Sequence, residues 1–359
     1  MKLNKLMLAL FAGSLLFTSC SDNDDTSNDM PLGAYDNGIL VLNEGNFGMG
    51  NAKISYISND FGTFQNDIFN VVNPGMSLGD TGQDIGFYGD LAFVVLNASN
   101  TIEIVNRYTM QHVETIDAGL NNPRYIVFAN GKGYVTNWGA GGDASDDYVA
   151  VLNLTDYTVA STISVAEGPE KIITYGDKLY VAHKGGWGSG NSVSVIDMDT
   201  NTVASTITVG DIPNSMVIQN ATLYVLCSGK SAWPTAADET LGSLHKISLT
   251  GGANTSLNFA AGAHPSNLQL ENGMLYFTND AGIFSMSPSA AALPTSPLFS
   301  TSPQGVYGVY GFEVENGKIF VSDAVDYNSN GKVYIYSMTG TLEHDYTVNI
   351  IPSGFYFNN

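Results

Sequence analysis

The three tryptophans of this chain, Trp138, Trp187 and Trp233, occupy the same kind of place. Each stands shortly after an apolar run that closes on small polar residues: Gly133-Tyr134-Val135-Thr136-Asn137, Leu179-Tyr180-Val181-Ala182-His183 and Leu223-Tyr224-Val225-Leu226-Cys227. Phe47 and Tyr327 hold the matching places after the runs 39–43 and 319–323. All five rings lie in segments rich in Gly, Ser, Asn and Asp. Large aromatics exposed in such loops can stack on a flat ligand, a sugar or a partner chain, or fold back to plug their own end of the molecule; both readings are open. Polar groups fall near them. Arg124, Glu170, Asn214 and Ser266 follow prolines that open apolar strands, while Lys184, Lys230, His183 and His264 add donors. The candidate ligand-binding set is therefore Phe47, Arg124, Trp138, Lys184, Trp187, Asn214, Lys230, Trp233 and Tyr327. The chemistry it suggests is stacking and hydrogen bonding.

Covalent chemistry finds little support. The Gly-rich stretches 45–50 and 185–190 precede no helical pattern that could offer an N-terminus to phosphate. The five histidines are scattered without zinc-ligand spacing, and no Ser nucleophile elbow is visible. Asp326-Tyr327-Asn328-Ser329-Asn330-Gly331 opens like a calcium loop, but Ser337 stands where the bidentate acid belongs. An Asn-rich connection is the preferred reading over a structural calcium. A lyase or quinoprotein-like enzyme would need a clustered acid–base set or a cofactor site, and the sequence displays neither. No catalytic residue, metal or cofactor is expected. A net charge of −21 repels phosphate backbones, which argues against nucleic acid as a partner.

The elements that position these residues are read from the phrase itself. It recurs at 39–43, 92–96, 133–137, 179–183, 223–227, 275–279 and 319–323, roughly 40–50 residues apart, the period of a four-stranded blade. Blade four is plainest, with strands at 170–175, 178–183, 192–197 and 203–209 and β-branched alternation throughout. The sequence predicts an all-β, seven-bladed β-propeller over 38–359. Blade one begins with its second strand, and the closing segment 350–357, Ile-Ile-Pro-Ser-Gly-Phe-Tyr-Phe, supplies the missing innermost strand. Turns between first and second strands are minimal, as at Gly176-Asp177, whereas the loops 44–51, 138–147, 184–191, 228–242 and 324–330 are long. These long loops share one end of the ring with the connections between blades.

The N-terminus stands apart. Lys2 and Lys5 precede an apolar run over 6–17 that ends in Thr18-Ser19-Cys20, a pattern for export and too short for a membrane span. It resembles a bacterial lipobox, with Phe17 in the place commonly held by Leu. This implies a signal peptide over 1–19, a lipidated Cys20 and a flexible acidic tether over 20–37. The lipid would be the only membrane anchor. Ser21-Asp22-Asn23-Asp24-Asp25 resembles the surface-export signal of Bacteroidetes lipoproteins and equally suits an ordinary acidic linker. Cys227 would then be the sole remaining cysteine, read as a small buried residue, and no intrachain disulfide forms.

Tyr134-Val135-Thr136-Asn137 is a literal instance of the repeat of the YVTN, surface-layer-type propellers, and 192–210 is similar to their consensus. Three further segments resemble a narrower group, the cobalamin-capturing surface lipoproteins of gut Bacteroidetes (the BtuG type). These are Leu42-Asn43-Glu44-Gly45-Asn46-Phe47, Pro123-Arg124-Tyr125-Ile126 and Asp323-Ala324-Val325-Asp326-Tyr327, together with the closing segment. That resemblance implies non-catalytic binding of a corrinoid and its delivery to an outer-membrane TonB-dependent transporter, from a lipid-anchored position facing the medium. The alternative is a glycan- or protein-binding adhesion propeller of the cell surface.

Overall fold

The repeated phrase forms the second strand of every blade, and its burial explains the architecture. In Lys178–His183 the five residues after Lys178 are buried on both faces, whereas the outermost strand of that blade, Thr202–Thr208, is exposed almost throughout. A strand buried on both faces must lie between neighbours, and a radial stack of sheets provides them. The computed structural model describes residues 31–359. These form seven antiparallel four-stranded sheets, so the seven-bladed propeller read from the sequence is the fold. The expected signal peptide, Cys20 and the first part of the tether lie outside the described residues. No helix among the described residues is long and apolar enough to cross a membrane.

Seven hydrophobic clusters fill the seven junctions between blades, one in each. The aromatic of the phrase always reaches forward. Tyr134 packs among residues of blade four, Tyr180 of blade five, Tyr224 of blade six and Tyr276 of blade seven, while Phe320 packs on blade one. The aliphatic residues flanking it face backward, as Leu179 and Val181 do toward blade three. Strand alternation thus gives blades two to seven one bulky ring each to push into the next, with Leu40 in that place in blade one, and a flatter face to receive one.

Closure follows the expected route. Pro352–Asn358 pairs with Gly38–Asn43, aligning Val41 with Phe355 and Gly38 with Asn358. Asn358 fastens the join: its Nδ2 donates to the carbonyls of Tyr35 and Arg107, both at 2.7 Å. Two features differ from the reading above. A short helix, Ile68–Val72, follows a two-residue outer strand in blade one and buries Ile68 and Phe69. Residues 33–37, read as the end of a flexible tether, pack on the propeller. Tyr35 is buried with its ring edge on Tyr56, and its N–H donates to the Tyr108 carbonyl. A single tyrosine brings enough apolar surface to dock a segment whose acidic composition argues for disorder.

Candidate functional site

Six of the seven innermost strands begin with a β-bulge. In blade three Pro123 aligns with Asn137 and Ile126 with Val135, so three steps on one strand oppose two on its partner. The same irregularity occurs between Pro169 and Ile172, Pro213 and Ser215, Ser266 and Gln269, Gly82 and Asp84, and Pro352 and Gly354. A bulge breaks the alternation that would send successive side chains to opposite faces. Here it turns neighbouring residues together into the axial channel: Arg124 with Tyr125, and Glu170 with Lys171. The hydroxyl in the repeated phrase supports the distortion. Thr136 Oγ1 accepts the N–H of Tyr125 at 3.0 Å and donates to the Glu170 carbonyl of the next blade at 3.0 Å. Ser322 repeats the arrangement, accepting from Gly311 and donating to Pro352.

The bulges surround a cavity of about 780 Å³, within the range of small-molecule sites. It reaches the end of the ring that carries the long loops, because Phe47, Lys184 and Trp187 also line it. Six of the nine expected residues meet there: Phe47, Arg124, Trp138, Lys184, Trp187 and Asn214. Their roles divide. Phe47 and Trp187 are 81% and 83% exposed, so they stand at the mouth. Trp138 folds back to 7% exposure, covering Arg124 at 4.3 Å and donating its Nε1–H to the Pro169 carbonyl. Trp187 leans edge-on against it, ring centroids 5.8 Å apart. Asn214 is engaged by Ser228 and the Pro265 carbonyl. The other three lie off the cavity. Lys230 pairs with Asp211 at 3.5 Å, Trp233 is exposed on the 228–242 loop, and Tyr327 rests edge-on against Tyr310, which itself lines the cavity. Of the two supporting histidines, His183 is buried against Ser194 Oγ, and burial pushes its pKa down to about 4.

The channel also holds an acid–base cluster that the sequence did not reveal. Arg124 forms a bidentate pair with Glu170, Nε–Oε2 2.9 Å and Nη2–Oε1 2.8 Å. Burial alone would raise the Glu170 pKa, but Arg124 outweighs it and holds the carboxyl below its ordinary range. Glu44 sits nearby, accepting the Tyr310 hydroxyl at 3.0 Å on both oxygens; burial pushes it up to about 7 against the pull of Tyr310 and Arg124. Burial also lifts Glu313, another cavity-lining acid, to about 8. Asp84 is raised by burial too, while Lys171, the Ile126 N–H and the Tyr356 hydroxyl oppose that rise. Glu44, Asp84, Tyr125, Lys171, Tyr310 and Glu313 escaped sequence reasoning. The bulges explain part of this, since period-two alternation assigns the residue after Arg124 or Glu170 to the blade interior. The available signal was the recurring Pro-x-x opening, which could have been read as two inward residues. Among the described residues no group of His, Cys, Asp and Glu is arranged to hold a metal ion.

Residues 37–357 match the family model described as a domain of unknown function, DUF5074. No curated protein matches the chain. Solved structures are similar in fold. A quinoprotein alcohol dehydrogenase-like protein from Bacteroides thetaiotaomicron superposes with a TM-score of 0.64 at 14% identity, covering 90% of this chain and 79% of the other. A functionally unknown protein from Desulfotomaculum acetoxidans gives 0.63 at 12% identity, with 89% and 98% covered. Hydrazine synthase of Kuenenia stuttgartiensis gives 0.60 at 15% identity, with 76% and 88% covered. Identities this low speak for the propeller alone.

Proposed function

The chain belongs to the DUF5074 family, and from the cavity its propeller encloses we propose that it captures a small molecule at the long-loop end and releases it unchanged. The observation that carries this reading is the pairing of two exposed rings, Phe47 and Trp187, with a polar cavity directly beneath them. Exposed aromatics of this size are costly without a partner. Trp187 is held ready by Trp138, which is itself braced on the Arg124–Glu170 pair. The acids and bases below are largely committed to one another, as Arg124 to Glu170 and Tyr310 to Glu44, which favours binding over catalysis.

The sequence resemblance suggests a corrinoid as the ligand. A broad, flat macrocycle with apolar edges and a rim of amides would lie across the mouth against Phe47 and Trp187, with Lys184 offering a donor. Delivery would be to an outer-membrane TonB-dependent transporter, from a propeller anchored at the cell surface through lipid on Cys20. Calorimetric titration with cyanocobalamin tests the ligand. Saturable binding is expected, and Trp187→Ala or Phe47→Ala should each weaken it about thirtyfold, the effect of about 2 kcal/mol at a binding centre. Trp233→Ala should have little effect, since Trp233 lies off the cavity. Absence of saturation with cobalamin and cobinamide at micromolar protein would overturn the corrinoid and favour a glycan or protein partner.

A further inference from the structure

All but three of the basic side chains in residues 31–359 donate a hydrogen bond or make an ion pair. The three are Lys132, Lys171 and Lys184. In a chain with 34 acidic residues against 13 basic ones, unpaired cations are unexpected, and two of these three line the same cavity. Lys171 is the inner one. Its ammonium lies 3.8 Å from the centroid of the Tyr125 ring, and no carboxylate oxygen of the described residues comes within 4.0 Å of it. The cation–π contact fills none of the three N–H donors of this half-buried, cavity-lining side chain.

The nearby acids are committed elsewhere. Both Glu170 oxygens are taken by Arg124. Asp84 accepts from the Ile126 N–H and the Tyr356 hydroxyl. Glu313, with burial raising it to about 8, keeps its proton at neutral pH and faces the Gln269 amide at 3.0 Å. Lys171 is half-buried in the channel wall, so its open donors face the cavity and are free to take the oxygens of a ligand in place of water. Lys184, at the mouth beside Trp187, is the second unpaired amine on the way in.

We propose that the inner channel binds an anionic oxygen group of a ligand, a carboxylate or a phosphate, with Lys171 as its terminal contact and Lys184 drawing it in. This extends the binding reading inward and depends on it only in using the same cavity. The test uses small anions, so a failure of corrinoid binding would leave its result untouched, and the reverse holds equally. Inorganic phosphate and acetate are titrated separately into lysine-¹³C-labelled protein at low ionic strength, with the Lys171 side-chain resonance assigned through Lys171→Met. A saturable shift at Lys171 with either anion is expected, and which anion produces it identifies the group. By calorimetry Lys171→Met should bind that anion about ten- to a hundredfold more weakly, the scale of charge-assisted hydrogen bonds, while Lys132→Met should match the parent. No saturable shift with either anion, or undiminished binding in Lys171→Met, would overturn the proposal. Should Lys171→Met fail to fold, the shift of the Lys171 resonance in the parent, assigned through Lys171→Arg instead, decides the matter.

Discussion

Two glutamates lining one channel have opposite fates, and the main difference is a single guanidinium. Glu170 receives both N–H arms of Arg124 and stays ionised, whereas Glu313 has the Val314 N–H, the Gln269 amide and the unpaired charge of Lys171, which together do not offset its burial. Its pKa therefore rises to about 8 from an ordinary value near 4.5. As pH climbs through that window the unfolded chain loses the proton while the folded chain keeps it, so folding becomes progressively less favourable, and the penalty levels off above about 8. Glu313→Gln removes the titration but keeps an acceptor for Gln269. The variant is expected to melt like the parent near pH 4 and above it near pH 8, by on the order of 1–4 kcal/mol. Chemical denaturation at the two pH values checks this. A constant difference between variant and parent would mean that Glu313 titrates normally and faces water.

At the scale of elements, the bulged opening of the innermost strands is what makes a site from a scaffold. Thr136 shows how the repeated phrase maintains it, since its hydroxyl serves the Tyr125 N–H in its own blade and the Glu170 carbonyl in the next. Thr136→Val keeps the shape and deletes both bonds. It should cost about 1–3 kcal/mol, the penalty of leaving a buried backbone group unsatisfied. Tryptophan emission should shift as well, because the Arg124–Glu170 pair that braces Trp138 rests on the same bulge; an unchanged melt and spectrum would show that the bulge needs no such support. The phrase itself was readily legible, because strands buried on both faces leave an unmistakable apolar run, and seven spaced copies dictate a ring. The loop aromatics were legible as a class, and Phe47 and Trp187 stand at the mouth. The difference between Trp138, folded under, and Trp187, held out, was not, because it turns on one contact with Pro169 across a blade boundary. Lys171 and Tyr125 were hidden for a local reason: one inserted residue reverses the facing of the next, and hydrophobic patterning carries no mark of the insertion.

For the whole molecule the decisive contact is the one that joins its two ends. Blades two to seven each bury a forward-reaching aromatic in the next, and blade one does the same with Leu40, so the stack satisfies itself everywhere except where its two ends must meet. There Phe320 of blade seven packs on Phe355 and Phe357, which belong to the C-terminal strand, in the same cluster as Ile39 and Val41 of the first. Arg107 of blade two then clasps the end, donating from Nε to Asn358 Oδ1 at 2.5 Å and from Nη2 to the Asn359 carbonyl at 2.7 Å. Deleting 352–359 removes the innermost strand of blade one, uncovers the edge of Gly38–Asn43 and strips the junction of its rings. An open edge of that kind invites pairing with another chain. The truncated protein should therefore melt far below the parent and elute as aggregates in size-exclusion chromatography, whereas removing Asn359 alone should lower the melting temperature only slightly. Because the strand also contributes Ser353 and Tyr356 to the cavity wall, loss of closure and loss of the site should coincide. A truncated chain that stayed monomeric and melted with the parent would mean that the blades hold together without the seam.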